Sequence, residues 1–318
     1  MVQLVTRRLL HTIVVLLLVS FGITFLINLT PGDPAYSILG DQATDEQVAQ
    51  VHKSLHLDDP FYMRYWDWVQ GLLHGDFGTS FLTKQGVFHL ILQAVPVTAE
   101  LVLMAFLIGL VISIPVGVYC AYRVDGRFDR AWSIISSAMI SSPPFVSALV
   151  LVYLFALQLR IFPVTGWVPI TSGLVSNLGH VLLPALTLAI VLIPLYSRLL
   201  RADMVATLQE DYILAARAKG VPTRQILVVH ALRQSSFSLL TLAGLSLGQL
   251  ISGAAIVEVM FSLPGLGQLL VNSISSKDVP VVQGTVMFVA IVYVFLNMAV
   301  DLAYSYLDPR VRLQKVGQ

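Results

Sequence analysis

Six stretches of this chain are apolar over about 20 residues each, the length an α-helix needs to cross the hydrocarbon core of a bilayer. They run approximately from Leu9 to Leu29, Val97 to Tyr122, Ala131 to Leu159, Leu182 to Leu200, Phe237 to Val259 and Val281 to Ala303. Inside lipid each backbone polar group must be satisfied within the protein, so every stretch is read as a helix. Composition agrees: 12% of the 318 residues are charged and 56% are hydrophobic, against about 25% charged in a soluble domain. The expected fold class is an all-α polytopic membrane protein with six transmembrane helices.

Orientation follows from lysine and arginine, which are retained on the cytoplasmic side. The ends and loops containing Arg7 and Arg8, Arg123 to Arg130, Arg198 to Arg233, and Arg310 to Lys315 hold 14 of the 19 basic residues. The other connections hold only Lys53, Arg64, Lys84, Arg160 and Lys277. Both termini are therefore expected in the cytoplasm, with the region from Asp33 to Gln93 outside. The first run follows two arginines as a signal peptide would, but it is too long for a typical signal core. It ends in Asn28, Leu29, Thr30 and Pro31 with no small-x-small cleavage site, so it is read as an uncleaved span. The expected organisation is an N-terminal helix over 1–30, an extracytoplasmic insert over 31–95, a transmembrane core over 96–306 with a cytoplasmic loop at 202–235, and a tail at 307–318.

The insert carries its own helix signals. Thr44 and Gln47 fit a capping box, with Val48, Val51 and Leu55 following on one side. Asp59 before Pro60 marks a second start, running through Phe61, Tyr65, Trp68 and Leu72 to a stop near Gly75. These predict a small helical cap, with Trp66 and Trp68 either at the membrane interface or packed within the cap. The turn Gly75 to Ser80, GDFGTS, follows. His52 and His56 are four apart, a spacing that suits one metal, but no third ligand is spaced with them. They are read as solvent-facing, and no metal or cofactor is expected.

Within the core, Cys120 is read as a reduced packing residue. Pro143 and Pro144 should break or kink the third run, either around a cavity or as a static bend. Pro184 and Pro194 punctuate the fourth run. Gly244 and Gly248 form a small-xxx-small pair suited to close helix packing. Glu100, Glu258 and Asp301 lie near enough to span ends to reach the interface, and Glu258 is the candidate for a substrate path. The stretch from Phe261 to Asp278, FSLPGLGQLLVNSISSKD, is expected to be external and re-entrant or hairpin-like.

Between the fourth and fifth runs lies a basic insert, Glu210 to Gln234. Met204, Leu208, Tyr212 and Ala216 recur at a spacing of four and predict a helix. Gly220 suits a left-handed C-terminal cap, and Pro222 suits the start of a second short helix. Ile226, Val229 and Leu232 should mark its apolar side, opposite Arg224, His230 and Arg233. This helix, bend and helix is either a handle for another protein or a loop whose charge only fixes topology. The chain has no phosphate loop, no H-E-x-x-H, no paired C-x-x-C and no G-x-S-x-G elbow, so no catalytic residue is expected.

Leu214, Ala215, Ala216 and Gly220, followed by His230, Ala231, Leu232 and Arg233, resemble the cytoplasmic E-A-A-x-x-x-G-x9-I-x-L-P motif of ABC importer permeases. Leu214 replaces the glutamate, His230 the isoleucine and Arg233 the final proline. The peptide subfamily is closer: Asp211 to Gly220, DYILAARAKG, then VHALR, GDFGTS, MFSLPGLGQLL from Met260 and the terminal DPRVR from Asp308 to Arg312 are similar to di- and oligopeptide permeases. The resemblance covers nearly the whole chain and implies a type I importer permease fold with a small external helical insert. It further implies ATPase coupling through Leu214, Ala215, Ala216, Arg217, Lys219, Gly220, His230 and Arg233, and binding-protein contact at Leu266, Gly267 and Gln268. The implied partners are the lipid bilayer, a second homologous permease, two ATP-binding cassette subunits and an extracytoplasmic peptide-binding protein, with no nucleic acid. The implied function is half of the translocation pathway of an importer of di- or oligopeptides in the bacterial inner membrane. Nickel or another small solute is the alternative within this architecture, and a stand-alone carrier the alternative outside it.

Overall fold

The structure, a computed structural model, describes residues 2–29, 32–40, 43–55 and 57–307, with side chains described over the same ranges from residue 10 to residue 300. His56, the side chains of Arg7, Arg8 and Asp301, and the segment Asp308 to Arg312 lie outside the described residues. The described chain is helical, with an isolated antiparallel bridge between Thr79 and Gly86. Among the described residues five helices are long and apolar enough to cross a membrane, and a bent helix pair at the third expected run makes six if the pair is counted as one span. The chain divides into two compact units, residues 1–98 with 264–295 and residues 99–263 with 296–318.

The first unit holds α1 (Val2–Leu29), α2 (Pro34–Leu39), α3 (Asp45–Ser54), α4 (Phe61–Leu73) and the start of α5 (Val87–Tyr122). It also holds α11 (Leu266–Ser275) and most of α12 (Val279–Leu307). The expected capping box is present: the Gln47 backbone N–H donates to Thr44 Oγ1 and the Thr44 N–H donates to Gln47 Oε1. α4 starts after Pro60 as its sequence predicts, and it packs against α1. Phe61 and Tyr65 meet Phe21 of α1 edge to face, both at 5.7 Å between ring centroids, and the Tyr65 and Ser20 hydroxyls are 3.0 Å apart. Ser20 lies nine residues before the end of α1, about 14 Å at 1.5 Å per residue, so α4 follows α1 well back from its C-terminal end. Trp66 is 59% exposed on α4. α5 begins ten residues earlier than its apolar run suggested, because Val87, Ile91 and Ala94 are already buried with Leu266 and Val281 in the unit's core.

The GDFGTS turn is fastened into this unit. Gly75 and Gly78 take positive φ, at 81° and 84°. Buried Asp278, just before α12, accepts from Ser80 Oγ at 2.5 Å and from the Phe81 N–H at 3.0 Å. Gly284, six residues further on, is needed for the close approach to Val87, since a Cβ there would stand 2.6 Å from that side chain. His52, expected to face solvent, is instead half-buried between two carboxylates, with Nε2 2.6 Å from Asp33 and Nδ1 2.7 Å from Asp58.

The second unit holds the rest of α5, then α6 (Arg127–Ser141), α7 (Pro144–Gln158), α8 (Leu174–Thr207), α9 (Asp211–Ala218), α10 (Thr223–Phe261) and the end of α12. Pro143 and Pro144 break the third run as expected, and α6 and α7 meet at 109°. Pro184 and Pro194, in contrast, lie inside a continuous α8. α8 and α10 form the centre of the unit, where Tyr196, Leu200, Met204, Leu239 and Ala254 are buried. Small residues set the approach of neighbouring helices. A Cβ on Gly117 of α5 would stand 3.0 Å from the Ser197 carbonyl oxygen, and one on Gly244 of α10 would stand 2.6 Å from Val300 of α12. Cys120 is buried and free, as its setting predicted. Among the described residues five non-glycine residues adopt positive φ: Lys84, Asp125, Arg160, Ser262 and Lys277.

Candidate functional site

The site lies where α8 hands over to α10. α8 stops at Thr207 and the chain turns, with the Glu210 N–H donating to the Thr207 carbonyl. Glu210 is extended and α9 starts at Asp211, whose carboxylate in the first turn complements the positive end of the helix dipole. The helix predicted through Met204, Leu208, Tyr212 and Ala216 is therefore two helices, and the break resets the phase of the apolar stripe. Met204 and Ile213 are both fully buried, while Tyr212 is 48% exposed.

α9 ends as expected at Gly220, with φ of +78°. The Gly220 N–H donates to the Arg217 carbonyl and the Val221 N–H to the Ala216 carbonyl, which is the bond pair of a Schellman C-cap. Pro222 stands at the next helix start, but the expected second short helix is the first turns of the span α10. Over Ile226 to Ala231 the turns widen to a five-residue hydrogen-bond spacing, so Ile226 and Ala231 are buried while Val229 is 49% exposed. The predicted stripe of Ile226, Val229 and Leu232 is displaced for that reason. Thr207 Oγ1 lies 3.2 Å from Ser235 Oγ in a buried contact that ties the end of α8 to α10.

The outward face is a ridge of mostly small side chains with two cations, Arg217 and Lys219. Leu214, Ala215, Arg217, Ala218, Lys219 and Gly220 are exposed and Ala216 is half-buried, above Ile213 as the anchor. His230 and Arg233 lie on α10, the first half-buried and the second exposed. Behind the ridge is a cleft of about 540 Å³ lined by Tyr122, Val205, Leu208, Arg217, Thr223 and Ile226 among others. A ridge of small and basic side chains beside an apolar cleft suits contact with another protein, since Ala and Gly let a partner's backbone come close. No group of three metal-ligating side chains occurs among the described residues.

The other predicted positions fare differently. Glu258 is fully buried within the protein. Glu100 accepts from Trp167 Nε1 at 2.9 Å. Leu266 and Gly267 are buried and Gln268 is half-buried, because the start of α11 packs into the first unit and its Leu266 N–H donates to Thr98 Oγ1. The outward residues of α11 are Val271, Asn272, Ile274 and Ser275. Ile213 had no place in the predicted stripe and emerges only from the break after Thr207.

Comparison with known proteins agrees with this architecture. Residues 113–313 match the family described as binding-protein-dependent transport system inner membrane component, and residues 1–102 match its N-terminal membrane component. A putative peptide transport system permease protein of Brucella abortus is 39% identical over 312 residues, covering 98% of this chain and 99% of that one. The di/tripeptide transport system permease protein DppB of Pseudomonas aeruginosa is 35% identical over 320 residues, covering 93% and 95%. Among solved structures, an inward-facing MetNI methionine ABC transporter superposes with a TM-score of 0.57 at 18% identity, covering 69% of this chain and 96% of that one; the fold is shared. With family matches spanning nearly its whole length, this multi-pass membrane chain belongs to the inner membrane permease components of binding-protein-dependent ABC importers.

Proposed function

We propose that this chain forms half of the translocation pathway of an ATP-driven importer of di- or oligopeptides, with α9 as the helix that receives the motor's stroke. The observation that carries the reading is the exposed ridge Leu214 to Gly220, held rigidly by buried Ile213 and the Gly220 cap at the junction of two spans. The ridge faces the cytoplasm if both termini do, as the distribution of basic residues implies. One of the two ATP-binding cassette subunits would seat on Leu214, Ala215, Ala216, Arg217, Lys219 and Gly220, with His230 and Arg233 at the margin. A second homologous permease completes the pathway. An extracytoplasmic peptide-binding protein delivers substrate, touching α11 at Gln268 and the outward Val271 and Ile274. Peptide as the cargo is supported by the names of the relatives, which are peptide permeases. Closure of the motor would pull α9 and rock the spans between inward- and outward-facing states, with Glu258 reaching the path in only one of the two.

The test is co-purification from the native membrane followed by ATP hydrolysis with and without peptide-loaded binding protein, on the natural sequence and on Gly220→Arg. The expected result is a complex with ATPase subunits whose hydrolysis the loaded binding protein stimulates. Gly220→Arg should stay in the membrane, because nothing lies within 4 Å of an added Cβ and an L residue at φ +78° costs only about 1–2 kcal/mol. It should lose transport, whereas Gly220→Asn, which carries the same backbone strain without the bulk and charge, should keep it. Normal transport by Gly220→Arg would end the proposal for α9.

A further inference from the structure

A second feature of the same unit bears on how a stroke at α9 could travel. Asp129, in the first turn of α6, is 2% exposed. Its Oδ1 accepts from Arg201 Nε and its Oδ2 from Arg201 Nη2, both at 2.6 Å. Oδ2 also accepts the backbone N–H of Asp125 at 2.9 Å. Three residues along α6, Trp132 Nε1 donates to Ser197 Oγ at 3.0 Å, four residues back along α8. These are two rungs between antiparallel helices. Arg201 is six residues before the end of α8 and ten before the start of α9, while α6 leads straight to the 109° bend at Pro143 and Pro144.

We propose that Arg201 and Asp129 form the joint through which displacement of α9 reaches the bent third span. The inference rests on α9 being the helix that takes the motor's stroke. A forked guanidinium–carboxylate pair fixes orientation as well as distance, because two parallel N–H···O bonds must both be kept. Pulling α6 away from α8 would leave a buried carboxylate without its counter-charge, which is far costlier than moving the two helices together. α6 therefore follows α8, and the bend takes up the remaining motion. Arg201 is a positioning residue, and its planar fork is the property in use; lysine keeps the charge and loses the fork.

The test uses the whole transport complex in lipid nanodiscs, with spin labels at Ile135 on α6 and Leu149 on α7, both exposed. In the natural sequence the distance between the labels should change between the nucleotide-free complex and the complex trapped with ATP and vanadate. In Arg201→Lys, ATP hydrolysis should stay within about twofold of normal while that change disappears. Asp129→Arg combined with Arg201→Asp should restore at least half of the change, since the fork is rebuilt in reverse. The joint is refuted if the change survives in Arg201→Lys, if it never occurs in the natural sequence, or if hydrolysis and assembly fall together with it, as a merely structural pair would require. Gly220→Arg in the same preparation separates the two readings. If it abolishes the change and Arg201→Lys does not, the joint alone is wrong; if Gly220→Arg has no effect, the α9 reading has failed beneath it.

Discussion

Asp278→Ala should open the GDFGTS turn, and the expected size can be worked from the contacts. The carboxylate serves two donors, Ser80 Oγ and the Phe81 N–H, and Ser80 and Asp278 are 1% and 4% exposed. Water therefore replaces the lost acceptor poorly, Ser80 being buried and Phe81 half-buried, and each stranded donor costs about 1–3 kcal/mol. The variant should lose about 2–6 kcal/mol of local stability. Asp278→Asn keeps one acceptor oxygen and turns its amide –NH2, itself a donor, toward the second donor, so about 1–3 kcal/mol is expected. Ser275→Ala, at an exposed position on the neighbouring α11, should change stability by less than about 0.5 kcal/mol. The assay is amide hydrogen exchange on the intact complex, read on peptides covering residues 75–90, because local opening free energies govern exchange there. At about 1.4 kcal/mol per tenfold, Asp278→Ala should speed exchange by at least about 30-fold and Asp278→Asn by about 5-fold or more. Unchanged exchange over 75–90 in Asp278→Ala would refute the latch.

Three further outcomes are expected. Gly244→Ala places a methyl 2.6 Å from Val300 Cγ1, so overpacking should cost about 1–3 kcal/mol in detergent thermal unfolding, and adding Val300→Ala should recover most of it. Ile213→Ala empties a fully buried site and should cost about 2–5 kcal/mol locally, seen as faster protease cleavage within 208–222, whereas Tyr212→Ala should leave cleavage unchanged. His52 faces Asp58 and Asp33, whose hydrogen bonds raise its pKa above the usual 6.5 despite partial burial. Its contribution to the stability of the 33–58 region is therefore complete below about 6.5 and lost as pH rises through the raised value. Exchange protection over that region should fall between mildly acidic and alkaline pH, and His52→Gln should abolish the pH dependence.

The spans were legible because twenty-residue apolar runs have no other stable form in lipid, and the breaks at Pro143–Pro144 and Gly220 because those residues have narrow backbone preferences. Thr44 and Gln47 announced α3 by a local rule, and it held. The errors come from non-local causes. Leu208 and Tyr212 fit a helical spacing, yet the helix stops at Thr207 and Ile213 takes the buried place. Val229 fits the apolar side until the wider turns after Ile226 rotate it outward. The start of α11 carries a glycine and leucine pattern that suits either a surface or a core, and only its packing against Val87 and Ile91 decides for the core. The Asp129–Arg201 pair spans 72 residues in sequence, and no periodicity can signal it.

The left-handed residues offer a practical route to a sturdier molecule. An L side chain in that region costs about 1–2 kcal/mol relative to glycine, so Lys84→Gly and Arg160→Gly, at φ of 57° and 53°, should each relieve strain. Lys277 is the one to leave alone, because its ammonium group occupies the space beside Gly32. Both chosen positions are also among the five basic residues of the proposed outer connections, so their removal sharpens the charge asymmetry that directs insertion. One pair of substitutions would thus favour correct threading during synthesis and tolerance of detergent afterwards, two properties that usually have to be engineered separately.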